Sequence, residues 1–203
     1  MKTTSKTSLM TRFELDLPGW IQAELESQPA CWPSESDRMA LVVQLSGMNF
    51  RKKSGGPFAA GVFEKNSGRL VSVGVNRVTE NNCSCAHAEV MAISLAQRRL
   101  ASWDLGAENL PTHQLVVNWR PCIMCYGALI WSGIRSLVVA GDGPQLEAIT
   151  GFDEGPLGPD WKKGLEARGI SVKTGLLQED AVKVFRDFRD SGALVYNPSR
   201  QAP

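Results

Sequence analysis

Four residues in two short stretches have the types and spacing to do chemistry together. Cys85-Ala86-His87-Ala88-Glu89-Val90 carries a histidine with a glutamate two residues on, and Arg120-Pro121-Cys122-Ile123-Met124-Cys125 carries a pair of cysteines three apart. One imidazole and two thiolates make three ligands for a zinc ion, and a zinc site with three protein ligands leaves its fourth position to water. The expected cofactor is Zn2+, one per chain with a catalytic water, held by His87, Cys122 and Cys125. Zinc brings the pKa of such a water to about 7. The Cys-x-x-Cys spacing puts both sulfurs on one helical turn, and a helix N-terminus favours their ionised form. Glu89 is then free to act as a base, passing a proton to a ring nitrogen and on to a leaving amine. The chemistry is hydrolytic removal of ammonia from an amidine-like carbon. A closed zinc site, with Cys85 as fourth ligand, or a redox pair of cysteines would give Glu89 nothing to do.

The elements that position these residues can be read from apolar spacing. Ser34 to Asp37 offers an N-cap for a helix with apolar residues from Met39 to Met48, ending near Lys52. After Ser54-Gly55-Gly56-Pro57, the runs Phe58–Phe63 and Leu70–Val75 read as a β-hairpin. His87 opens a helix to Leu100, with Arg98-Arg99 in the last turn where cations suit the dipole. Gln114–Val117 is a third strand. Pro121 is expected at the first position of the next helix, which carries both cysteines and stops near Gly133. Ser136–Ala140 and Ile170–Val172 are further strands, and Ala148–Gly164 reads as loop with at most one helical turn. Glu179–Phe188 is an amphipathic helix, and the tail from Gly192 is extended. Strands alternating with helices predict a three-layer α/β/α fold around a mixed sheet of about five strands. Residues 1–35 are expected to be a poorly defined arm, with residues 36–203 a single catalytic domain that includes the tail.

Composition narrows the class. At 203 residues the chain can bury one sizeable core. With 43% hydrophobic and 21% charged residues it is not a disordered chain. A formal net charge of +1 is not the footprint of a nucleic-acid binder. Five cysteines, an odd number in a chain of this length, argue against a disulfide framework. No apolar run reaches the roughly 18 residues of a membrane helix, and Met1–Thr11 lacks the apolar centre of a secretory signal. The expected location is the cytoplasm, with no membrane or nucleic-acid partner.

The order H-x-E … P-C-x-x-C is the signature of zinc nucleobase deaminases. From about residue 38 to 197 the chain resembles the cytidine deaminase-like superfamily, and within it bacterial guanine deaminases. Gly55-Gly56-Pro57-Phe58-Ala59-Ala60, Gly74-Val75-Asn76-Arg77-Val78, Pro121–Ala128 and Gly151-Phe152-Asp153-Glu154-Gly155-Pro156 carry the likeness with His87-Ala88-Glu89. The resemblance implies a hydrolase converting guanine to xanthine and ammonia. It implies that Glu154 holds the N1–H and 2-amino edge of the base, where a carboxylate accepts from both donors, and shares in proton transfer. It implies amide contacts from Asn76 and packing from Phe58 and Phe152, with Ala88 and Trp119 completing the substrate-binding set. Dimers are expected, with exchange of the C-terminal segment. One departure stands out: where the superfamily often has glutamate before Pro-Cys, this chain has Asn118-Trp119-Arg120. Arg120 and Trp119 are therefore expected to bear on substrate choice or on the dimer edge. The competing expectations are another amino-heterocycle such as a triazine, pterin or cytosine-type base, a tRNA adenosine deaminase, and a non-catalytic zinc scaffold. Cys83 and Cys85 are expected as buried thiols beside the site, Trp131 as core or dimer contact, and His113 as surface or structural.

Overall fold

The computed structural model describes residues 9–198. The helices are α1 (Trp20–Glu26), α2 (Glu35–Arg51), α3 (Ala88–Leu100), α4 (Ile123–Trp131), α5 (Gln145–Thr150), α6 (Trp161–Glu166) and α7 (Gln178–Asp190). The strands are β1 (Ala59–Glu64), β2 (Leu70–Val75), β3 (His113–Val117), β4 (Ser136–Val139) and β5 (Ser171–Lys173), and they form one sheet in the order β2-β1-β3-β4-β5. β1 pairs antiparallel with β2 and β3, whereas β4 lies parallel between β3 and β5. This is the mixed five-stranded sheet the alternation predicts. Among the described residues no helix is long and apolar enough to cross a membrane.

The sheet is covered on both faces, so its central strands are apolar throughout rather than alternating. In β3 all five residues are buried. Val116 and Val138 face a cluster with Met39, Val42 and Leu45 of α2 and Val184, Phe185 and Phe188 of α7. Leu115, Val117 and Val139 face the opposite cluster, with Ala92, Ile93 and Ala96 of α3 and Leu129 of α4. The second layer carries both chemical stretches. β2 leads by a loop into α3, and β3 leads by five residues into α4, so the N-termini of both helices come together beyond the sheet.

Several boundaries differ from the sequence reading. Pro121 lies just outside α4, because Cys122 takes the N-cap: its Sγ accepts a hydrogen bond from the Cys125 N–H at 3.5 Å. The stretch read as loop after Ser136–Ala140 contains most of α5 and all the start of α6, each six residues long and too short for periodicity to reveal. The arm is partly structured, since α1 buries Ile21 and the following Trp32 packs edge-on against Phe63 at 6.0 Å.

α7 matters to the site as well as to the core. Phe185 is fully buried, with its ring 5.2 Å from Trp119 and 6.1 Å from Phe58. Phe185→Ala should cost about 3–5 kcal/mol through lost burial and the cavity left behind. That corresponds to a fall in Tm of roughly 10 °C for a chain of this size. A thermal melt showing a shift under 2 °C would mean that the pocket wall does not depend on this ring.

Candidate metal and active site

His87 and Cys122 are both helix N-caps, at α3 and α4, with extended backbone at each. Side chains at these positions leave the helix end rather than its flank, so both ligands meet in the gap between the two helices. Cys125, one turn into α4, reaches the same point. The His87 Nδ1, Cys122 Sγ and Cys125 Sγ atoms all lie within 4.8 Å of one another, and His87 Nδ1 is 3.5 Å from Cys122 Sγ. Zinc–sulfur and zinc–nitrogen bonds in a tetrahedron set ligands about 3.5–3.8 Å apart. The three atoms therefore fit zinc, with a contraction of less than an ångström or so, and two thiolates with one imidazole suit it chemically. Cys85 is exposed and outside this cluster, so nothing among the described residues closes the fourth position.

The electrostatics of the cluster are those of ligands awaiting a cation. A hydrogen bond from Cys125 pulls the Cys122 thiol down to about 4, against the opposing effect of burial. Cys125 is pushed well above its ordinary value by the Cys122 thiolate and by burial. Burial works against a charged His87, and the Cys122 hydrogen bond with the nearby carboxylates outweighs it, so His87 titrates above its usual range. Glu89 is 6% exposed, and burial followed by the Cys122 charge pushes it up to about 7. Glu154 is pushed up to about 8 by burial first, then by Cys122 and Glu89. Two carboxyl groups at neutral pH thus sit near half protonation, the range in which a group can both take and give a proton.

These groups line a small inner chamber of about 20 Å³, walled by Phe58, Asn76, His87, Ala88, Glu89, Val117, Trp119, Arg120 and Glu154. That volume holds about one water. His87 and Glu154 also line an outer vestibule of about 500 Å³, together with Cys122, Phe152 and the tail residues Tyr196 and Asn197. The tail separates the two. Tyr196 accepts a hydrogen bond from the Asn76 side-chain amide, and its ring lies 4.9 Å from Phe152 and 6.5 Å from His87. Asn197 donates to the Gly151 carbonyl at 2.8 Å and accepts from the Asp153 N–H at 3.0 Å. The Phe152–Glu154 loop is fixed from its other side by the Ile123 N–H, which donates to the Glu154 carbonyl at 3.2 Å. Asn76 is held by its neighbours too: its Oδ1 accepts from the Gly56 and Val78 N–H groups at 3.3 and 3.4 Å. Gly55 permits this approach, since its φ is +144° and a Cβ there would run into the Asn76 carbonyl.

Comparison with known proteins bears on this geometry directly. Residues 33–141 match the family described as the cytidine and deoxycytidylate deaminase zinc-binding region, which is more than half the chain. The chain belongs to this deaminase family. A guanine deaminase of known structure from Nitrosomonas europaea is 44% identical, with 90% of this chain and 99% of that one covered at a TM-score of 0.84. A neighbouring structure crystallised with 2,6-diaminopurine is 46% identical, with 91% and 96% covered and a TM-score of 0.83. The guanine deaminase of Bacillus subtilis is 35% identical over 116 residues, 57% of this chain and 69% of its own. A tRNA-specific adenosine deaminase from Agrobacterium fabrum is 31% identical over 127 residues, 60% of this chain and 73% of its own. The deaminase fold, the zinc site and hydrolysis of carbon–nitrogen bonds follow for this chain.

For this deaminase the structure brings His87, Glu89, Cys122, Cys125, Glu154, Asn76, Phe58, Ala88 and Trp119 to the inner chamber or its metal corner. Phe152 stands one layer out, 5.1 Å from Phe58 and stacked on Phe188 at 5.5 Å. Three expectations need correction. Cys83 is half-buried and Cys85 exposed, because the turn that returns the chain to His87 carries them outward. Trp131 is 85% exposed, so it is not core. His113 is buried, with Nδ1 on the Leu105 carbonyl at 2.7 Å, a structural role. Sequence reasoning missed Tyr196 and Asn197. An aromatic and an amide side by side in an otherwise small-residue tail, just before Pro198, were the only signal for them.

Proposed function

We propose that this chain is a guanine deaminase, converting guanine and water to xanthine and ammonia. The observation that carries the reading is the pair of buried carboxylates, Glu89 and Glu154, facing one chamber beside the metal-ligand corner. A single carboxylate suffices for proton transfer; a second is explained by a substrate that presents adjacent N–H donors, as guanine does at N1 and its 2-amino group. Full-length likeness to a guanine deaminase supports the same choice. Zinc, when bound by His87, Cys122 and Cys125, supplies a water activated at neutral pH.

The protein's own part is positioning and proton movement. Glu154 accepts from the donor edge of the base and holds C2 over the metal corner. Glu89 takes a proton from the attacking water, delivers it to a ring nitrogen and then protonates the 2-amino group, so the C2–N bond breaks and ammonia leaves. Phe58 and Phe152 pack on the base, Trp119 and Ala88 wall the chamber, and Asn76 presents its amide where Tyr196 now bonds it. A purine is larger than the inner chamber, so binding joins the chamber to the vestibule.

The same reading includes a homodimer. α4 is apolar on its outer side as well, with Trp131 85% and Ile123 44% exposed, a face that a second copy would cover. Exchange of the segment from Gly192 on would deliver the Tyr196 and Asn197 contacts between copies. Residues 36–203 act as one catalytic domain in this reading, in the cytoplasm. An ammonia-release screen of the zinc-loaded chain over guanine, adenine, cytosine, their nucleosides, pterins and aminotriazines tests it. Guanine should give the highest kcat/KM; a pterin or triazine ahead of it, or inosine formation in tRNA, would replace the substrate.

A further inference from the structure

Arg120 stands two residues before the first cysteine ligand, on the turn from β3 to α4. Its backbone N–H is tied to the Gly141 carbonyl at 2.9 Å, and one terminal guanidinium nitrogen is bound to Glu147 of α5. That ion pair fixes the side chain and balances its charge. The guanidinium Nε is left buried with no partner, although the side chain lines the inner chamber with Asn76, Glu89 and Glu154. A buried donor without an acceptor loses its hydration and gains nothing in return, so an orphan of this kind on a chamber wall calls for a ligand.

The other polar groups of the chamber show what Arg120 can add. Ionised Glu89 and Glu154 only accept hydrogen bonds. The Asn76 amide nitrogen donates to Tyr196, and Trp119 Nε1 donates to the Gly143 carbonyl at 3.3 Å. The Arg120 Nε–H is therefore a donor still unspent. Guanine has a complementary need, since the carboxylates meet its N1–H and 2-amino donors but not its acceptors. Its carbonyl oxygen and N7 lie side by side on one edge, the pair that arginine recognises elsewhere.

We propose that Arg120 is a specificity-determining residue whose Nε–H donates to the acceptor edge of the base, at the carbonyl oxygen or N7. This rests on the guanine reading and goes beyond it by assigning the second edge of the substrate. It also makes Glu147 a positioning residue, holding the guanidinium so that Nε faces inward.

The test uses the zinc-loaded full chain and three bases: guanine, 7-deazaguanine, which lacks the N7 acceptor, and 2-aminopurine, which lacks the carbonyl. Apparent affinity is read as KM where the base is turned over and as Ki where it is not. Arg120→Met should weaken guanine roughly 10- to 100-fold, mainly in KM. The loss should shrink to within about threefold on whichever analogue lacks the acceptor, the pattern of a double-mutant cycle between residue and substrate atom. Arg120→Lys, which keeps the charge but loses the planar fork, should show the same pattern more weakly, and serves if the Met variant does not fold. Equal losses on all three bases, or none, would overturn the proposal. Failure of the wild-type chain to release ammonia from guanine would overturn the guanine reading, and this assignment with it.

Discussion

Glu89→Gln should leave one zinc per chain in place and lower kcat on guanine by about 10³-fold or more, with little change in KM. Gln has the size and shape of Glu and keeps one acceptor, but it cannot carry a proton at neutral pH. Glu89 is not part of the three-ligand cluster, so metal content should be untouched. It lies in the first turn of α3, directly after the His87 cap, and is 6% exposed. Its position is therefore set by the same helix that sets a ligand, and bulk water cannot replace it. Positioned acid–base groups contribute about 10²- to 10⁴-fold. Glu89 acts on both the attacking water and the leaving amine, which places the loss at the upper part of that range. Metal analysis alongside steady-state ammonia release checks both halves. A loss below tenfold with zinc retained would sink Glu89 as the shuttle. Glu154→Gln in parallel separates the roles: it retains one acceptor for the base, so its loss should be divided between KM and kcat.

How far the chain could be read follows from what each residue depends on. His87, Glu89, Cys122 and Cys125 were legible because helix N-termini convert sequence spacing directly into geometry. Two motifs opening two helices need only be brought side by side, and the alternation of apolar strands and helices does that. The base pocket was half legible. Phe58, Asn76 and Glu154 could be placed by resemblance, but the partners that fix them come from elsewhere in the chain. Tyr196 reaches Asn76 across 120 residues, and Asn197 reaches Gly151 across 46. No local pattern encodes contacts of that range. Arg120 shows the same limit from the other side: its motif marked it as unusual, but only its pairing with Glu147, 27 residues on, reveals the orphaned Nε. The short α5 and α6 were hidden by their Gly- and Pro-rich flanks, where tertiary packing of Leu146 and Leu165 decides the helix.

Removing zinc should destabilise the fold by an amount that grows as pH rises from about 5 to 7. The sign follows from the groups around the empty corner. Glu89 and Glu154 titrate at about 7 and about 8 in the metal-free fold, against 4.5 for the same groups in the open chain. Raised carboxyl pKa values mean that the fold binds protons that the unfolded chain has released, so their contribution is whole below pH 4.5 and is lost through 7 to 8. Cys122 works the other way, at about 4 against 9.0 in the open chain, and its contribution rises with pH across the same interval. Two protons held by the fold against one released by it leave a net one between pH 4.5 and 7. That loss is on the order of 3 kcal/mol, or about 5–10 °C in Tm for a chain of this length. A dication at the corner reverses the logic by stabilising both carboxylates and thiolates. The zinc-loaded chain should therefore hold its Tm over this range while the chelated chain falls. Melting curves with zinc and with chelator at pH 5, 6, 7 and 8 measure the gap between them. A gap that stays constant would mean that Glu89 and Glu154 ionise freely without the metal, and that neither is tuned by the corner it faces. Cys125→Ser, which removes a fully buried ligand, should behave at every pH like the chelated wild type and release no ammonia.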